Sequence, residues 1–201
     1  MTDSKQETTG LWLRWIVASA IGGFVFAIAA RRWSVAAGGS VWDSMGPVVA
    51  EIVIGALALG GIMAGIAVGQ WLVVRRRVPW AGWLAAGMVG GGVAGGGAAF
   101  GVLQGMGGEG GGVPAVAAAV VAGLAAFVGV QWVLLRGRVP EVGRFVWMSA
   151  AAVVAAVAAT GLSGVALGEY SGGGVGGAVF GAVYAAVTGF VVIPSASGRS
   201  E

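Results

Sequence analysis

Apolar positions in this chain run continuously instead of recurring at the three-to-four-residue spacing of a helix with one wet face. Six predominantly apolar stretches stand out, at 11–30, 48–74, 80–103, 113–135, 142–167 and 173–193. A hydrocarbon layer about 30 Å thick requires about 20 apolar residues in a helix, and each stretch meets that length. Soluble six-helix proteins show amphipathic periodicity; stretches that are apolar all round instead expect lipid on the outside. The predicted fold class is an all-α integral membrane protein with six transmembrane helices. Residues 1–10 form a short tail before the membrane domain at 11–193, and 194–201 form a tail after it.

Charge gives this layout a direction. If the N-terminus is cytoplasmic, Lys5, Arg14, Arg75, Arg76, Arg77, Arg136, Arg138, Arg144 and Arg199 all lie inside, and only Arg31 and Arg32 lie outside. Lys and Arg are retained in cytoplasmic loops, so both termini are expected inside. The opposite loops carry Asp43, Glu109 and Glu169, with Glu51 at the start of the second span. Ala27-Ile28-Ala29 has the look of a signal cleavage site. However, Asp3 and Glu7 dilute the positive region before it, and the apolar stretch exceeds the usual 7–15 residues, so the first span reads as retained.

An internal repeat organises the spans. Gln70-Trp71-Leu72-Val73-Val74-Arg75-Arg76-Arg77-Val78-Pro79 closes the second span. Gln131-Trp132-Val133-Leu134-Leu135-Arg136-Gly137-Arg138-Val139-Pro140 closes the fourth, 61 positions later, and Gly82 answers Gly143. A weaker third copy closes the sixth span, with Thr188 at the place of the glutamines. The odd spans correspond at their inner ends through Trp12 to Trp15, Trp80 to Trp83 and Val142 to Phe145. The unit is thus a hairpin of about 60 residues used three times, at about 11–79, 80–140 and 141–193. Because all copies run in one direction, the expected pseudo-threefold axis lies along the membrane normal, unlike that of inverted-repeat transporters.

Each part of the motif has a physical role. Trp71 with Arg75, and Trp132 with Arg136, are i,i+4 neighbours, which places a ring beneath a guanidinium at headgroup level. The arginines, Arg77 and Arg138 included, meet anionic lipid. Val78-Pro79 and Val139-Pro140 end one helix and start the next. Gln70 and Gln131 lie about 7 Å inside the arginines at 1.5 Å per residue, deep enough that each is expected to hydrogen-bond a neighbouring helix.

The repeated Gln-Trp-(aliphatic)-Arg-x-Arg-Val-Pro-x-x-Gly pattern resembles a group of small multi-pass bacterial membrane proteins from cyanobacterial, chloroflexal and actinobacterial genomes. The resemblance spans 10–193 and implies the six-span topology; it brings no catalytic residue and no cofactor. Many members carry a second Trp after the Gly-Trp pair. Here Leu84 follows Trp83, and the next copy has Arg144-Phe145, so the inner end of that hairpin departs from the pattern.

Composition then removes most chemistry. The chain has 201 residues, 58% hydrophobic and 9% charged, where soluble domains carry about 25% charge. It contains no Cys and no His. Disulfides, zinc clusters and histidine-ligated haem or chlorophyll are therefore excluded. Gly161-Leu162-Ser163-Gly164 resembles the nucleophile motif of rhomboid proteases, which need a histidine that this chain lacks. The sole lysine, Lys5, lies outside the spans, which removes a retinal Schiff base. No carboxylate falls near a span centre, so a proton relay lacks its central group. Gly105-Met106-Gly107-Gly108-Glu109-Gly110 matches G-x-G-x-x-G, but no strand precedes it, so it reads as a flexible turn. No enzyme activity, cofactor or metal is expected.

Forty-one glycines remain to be explained. In the third span Gly87, Gly91 and Gly95 share one four-residue register, and Gly92 and Gly96 another, which suits close helix approach in lipid. Three functions stay open. The first is a structural or accessory protein of the bacterial plasma membrane, packing with itself or with a larger complex, its arginine turns meeting anionic headgroups or protein, with no nucleic acid as partner. The second is a channel or transporter for a small ion or solute, with Glu51, Glu109 and Glu169 forming an acidic outer mouth and Gln70, Gln131 and Thr188 along the path. The third is a lipid- or carotenoid-binding protein.

Overall fold

The computed structural model describes residues 2–106, 113–139, 141–167 and 173–197. The described chain is helical apart from short turns: α1 Thr2–Met45, α2 Pro47–Val74, α3 Ala81–Gly105, α4 Val113–Leu135, α5 Val142–Leu167 and α6 Gly173–Ser197. All six contain a segment of 19 to 28 residues long and apolar enough to cross a membrane. Their exteriors are apolar as well. Val35 is 79% exposed, Trp147 73%, Leu162 71% and Phe190 64%, a surface suited to hydrocarbon and not to water. Six such helices are consistent with a polytopic membrane protein.

The helices form a ring in chain order. α1 packs along α2, α2 along α3, α3 along α4 and α5 along α6, and α6 closes onto α1. The α4–α5 seam is much looser than the others. Glycine accounts for the tight seams. A Cβ on Gly22 would collide with the Gly65 backbone of α2, and one on Gly23 with the Gly177 backbone of α6, so α1 is held by two adjacent glycines facing two partners. The two glycine registers of α3 divide the same way. Gly92 and Gly96 abut Met63 and Ala56 of α2, whereas Gly91 and Gly95 abut Phe127 and Gly123 of α4. Without side chains in the way, the backbones approach until their own atoms touch, which is how helices associate where no hydrophobic effect drives them.

α1 is longer than its apolar stretch predicts. It runs for 44 residues, about 66 Å, taking in most of the expected tail at 1–10 and the expected loop after 30. Arg31-Arg32 end the apolar stretch and Gly38-Gly39 are poor helix formers, yet helix is retained until Gly46, whose φ of 75° only glycine adopts cheaply. Pro47 then starts α2 at its first turn, where its missing N–H costs nothing.

The two arginine turns fold alike. Arg75 N donates to Trp71 O, and Arg77 N and Val78 N to Val74 O; Arg136 N donates to Trp132 O, and Arg138 N and Val139 N to Leu135 O. They diverge at single residues. Gly137 takes φ 75°, where the first copy has Arg76, and Glu141 takes φ 56°, an uncommon value for a side-chain-bearing residue.

Candidate functional site

The repeated glutamines point inward. Gln70 is 1% exposed, Gln131 0% and Thr188 1%, so the three aligned positions are all buried. One turn toward the arginines lie Val74, Leu135 and Val192, each fully buried. One turn the other way lie Ile66, Phe127 and Tyr184. α1 and α5 add Ser19 and Ser149, both 0% exposed, each four residues after a buried aromatic, Trp15 and Phe145. Packing brings these groups to one level. Gly69, beside Gln70, abuts Ala18 and Ser19; Gly181 abuts Ser19; and Gly87 faces Gln131. The result is an uncharged polar layer crossing a bundle that is otherwise apolar.

This layer is only partly satisfied. Gln131 Nε2 donates to the Tyr184 hydroxyl at 3.5 Å, reaching from α4 across to α6, which is not its neighbour in the ring. Ser19 and Thr188 turn back on their own helices, donating to Trp15 O at 2.8 Å and Tyr184 O at 2.9 Å. Gln70, expected to bond a neighbouring helix, has no partner for either amide atom among the described residues. Gln131 Oε1, the Trp15 indole N–H and Ser149 Oγ are also unpaired, although Ser149 faces the Tyr184 hydroxyl. An unpaired buried group costs about 1–3 kcal/mol. Several in one layer of a single bundle amount to a cluster of unmet hydrogen-bonding capacity.

The rest of the predicted site divides by position. Arg75 stacks on Trp71 with its Cζ 5.2 Å from the ring centroid, as the i,i+4 spacing requires. In the second copy the stacked pair is instead Arg138 on Trp83 of α3, at 3.8 Å. Trp132 lies next to Gly143 of α5, and Arg136 is exposed. Arg77 pairs with Glu7 at 2.8 Å, tying the first turn to α1. Trp83, matched above with the buried Trp15 and Phe145, is 43% exposed; at the repeat's offset of 61 Phe145 answers Leu84, which is the interior residue at 2%. Of the three acidic residues, Glu51 is half-buried on α2; Glu109 and Glu169 lie outside the described residues. Ser163 donates to its own helix, to Thr160 O at 2.8 Å, and no cluster of metal-ligating side chains occurs among the described residues.

Tyr184, Ser149 and Ser19 are members of the layer that the repeat does not announce. Each has apolar residues immediately on both sides. Their helical spacing is the one available signal: Tyr184 stands four before Thr188, and the two serines stand four after the buried aromatics. Comparison with protein-family models, with curated proteins and with solved structures finds no match for this chain.

Proposed function

We propose that this chain is a non-enzymatic, non-conducting accessory protein of a bacterial plasma membrane, made of three tandem helical hairpins about a pseudo-threefold axis. Both termini and the arginine turns face the cytoplasm in this reading. The glycine seams fix the bundle's interior, and the apolar exterior and the cationic turns are left to meet lipid, a second copy or a partner complex.

One observation carries the non-conducting part. Between the polar layer and the arginine end, the interior is filled by Val74, Leu135, Val192, Ile193, Trp80 and Phe145, none more than 6% exposed. Trp80 and Phe145 meet edge to face, with centroids 6.2 Å apart. These side chains offer a hydrated ion no ligand, so the polar layer ends blindly. The agreement of hydrogen bonds in the two arginine turns supports the hairpin repeat.

Two experiments test the reading. Purified protein in vesicles is expected to pass sodium, potassium and chloride no faster than empty vesicles; a protein-dependent flux lowered by Trp80→Ala or Glu51→Gln overturns it. The absence of native cysteine allows clean topology mapping. Arg76→Cys is expected to react with a membrane-impermeant maleimide only after the cells are opened, and labelling of intact spheroplasts overturns the orientation.

A further inference from the structure

The loose seam and the unpaired polar atoms occur side by side. Between α4 and α5 lies an apolar slot of about 160 Å³, reaching from Val154 and Val157 on the exterior to Met63, Phe127 and Phe180 within. Val154 is 51% exposed and Val157 56%, whereas Met63 is 1% exposed. The slot therefore opens sideways, onto the surface that faces hydrocarbon, and penetrates to the bundle centre. Three of its lining residues lie one turn, about 6 Å, from the polar layer. Phe127 precedes Gln131 by four residues, Phe180 precedes Tyr184 by four, and Val153 follows Ser149 by four.

We infer that slot and layer form one binding site for a bilayer-dissolved amphiphile with an uncharged, hydrogen-bonding head, a hydroxyl or a carbonyl on a long hydrocarbon or isoprenoid chain. The chain leaves through the α4–α5 seam, and the head turns toward the arginine end to meet Gln131, Ser149 and Gln70. Polar atoms without partners among the described residues supply both a donor and an acceptor: the Gln70 amide offers each, Gln131 Oε1 accepts, and Ser149 Oγ does either. Neither the slot nor the layer holds a charged side chain. A phosphate or carboxylate head buried there would have no counter-charge, which selects the neutral class. A volume near 160 Å³ suits a branched or narrow apolar segment, comparable to cavities that hold one benzene-sized group. The lips consist of valines, so a chain occupying the seam exchanges one apolar contact for another.

The site is tested by photolabelling the full chain in vesicles with a sixteen-carbon alcohol carrying a mid-chain diazirine. The same chain bearing a phosphate monoester serves as control. The alcohol is expected to label α4 and α5 around Leu124 and Val154 at least fivefold over the equally lipid-exposed Val17 and Val25 of α1, and the phosphate probe is not. Val154→Trp, which blocks the mouth from the lipid side without touching the core, is expected to abolish the excess. Gln70→Leu combined with Gln131→Leu is expected to remove the preference for alcohol over phosphate while leaving the tail contacts. Uniform labelling of all lipid-facing valines overturns the inference. So does a preference unchanged by the double leucine variant, because ordered water then satisfies the layer. The flux and topology experiments above read neither quantity, so this site and the accessory role fail independently.

Discussion

The α2–α3 and α4–α5 seams flank arginine turns that fold alike, yet the seams are built differently. In the first, Gly92 and Gly96 of α3 let the backbone of α2 come within contact distance. In the second, Leu124 and Val120 of α4 meet Val153 and Val157 of α5 across a gap large enough to hold a small group. Branched side chains keep axes apart and cannot interdigitate as completely as flat backbones lie together. The glycines of α4 and α5 do not compensate. Gly129 and Gly161 have nothing within contact distance, Gly123 is turned toward α3, and Gly143 at the start of α5 meets only the edge of the Trp132 ring. A bundle in lipid gains association energy from close fit, so a seam without such a fit is where lateral opening costs least.

The largest predicted effect breaks the tight seam. Gly92→Leu must displace the Met63 side chain and approach Leu59 O, and is expected to cost at least about 3 kcal/mol, read as a lower midpoint in thermal unfolding in detergent. Gly129→Leu on α4 adds the same volume where nothing stands within 4 Å and is expected to change stability by less than about 0.5 kcal/mol. Equal losses would erase the distinction.

Cysteine pairs then measure the two gaps directly. A Cβ at position 97 falls 3.7 Å from that of Ala56, close to the spacing a disulfide needs, so Ala56→Cys with Gly97→Cys is expected to cross-link rapidly under mild oxidation. Leu124→Cys with Val153→Cys, on opposite walls of the slot, is expected to cross-link at least tenfold more slowly. A neutral long-chain alcohol is expected to slow it further.

How far these differences are legible in the sequence depends on what enforces them. Lipid imposes length and apolarity on every span, so the six helices follow from the pattern. The depth of Gln70 and Gln131 follows from counting residues inward from the arginines. The continuation of α1 to Met45 does not, because Arg31-Arg32 close the apolar stretch and Gly38-Gly39 are poor helix formers, so the pattern shows where a span ends and not where the helix does. Likewise, no local pattern shows that Gly91 and Gly92 face different helices, or that Arg138 crosses to Trp83 instead of Trp132 having Arg136 above it. Those are outcomes of ring closure, which fixes each helix's rotation only once its neighbours are in place. The acidic mouth is a comparable case: spacing aligns Glu51 with Glu169, but alignment along three helices says nothing of convergence.

A smaller effect compares hydroxyls on the closed and open sides of the layer. Ser19 donates to Trp15 O, so Ser19→Ala is expected to lose about 0.5–1 kcal/mol. Ser149 Oγ is unpaired, so Ser149→Ala in lipid-free detergent removes an unmet group and is expected to gain about 1 kcal/mol. Opposite signs sharpen the comparison. A loss at both sites would show that Ser149 has a partner in the empty protein.

The smallest effect concerns the arginine turns that flank the seams. The first turn is tied to α1 through Arg77 and Glu7, while Arg138 of the second reaches back to Trp83 on α3. The ion pair seen beside the α4–α5 connection, Arg144 with Glu141, is local, i to i+3, and 3.5 Å long. The cation–π brace of the second turn therefore lies on the side already tight, and toward α5 the described contact is the edge of the Trp132 ring on Gly143. Trp83 is 43% exposed, so losing its cation–π contact through Trp83→Leu is expected to cost about 0.5–1 kcal/mol in thermal unfolding. The Leu124–Val153 cysteine pair is expected to oxidise at an unchanged rate in that background. A faster rate would mean that the stack on α3 holds α4 away from α5, making the open seam a consequence of the turn and not of the valines that line it.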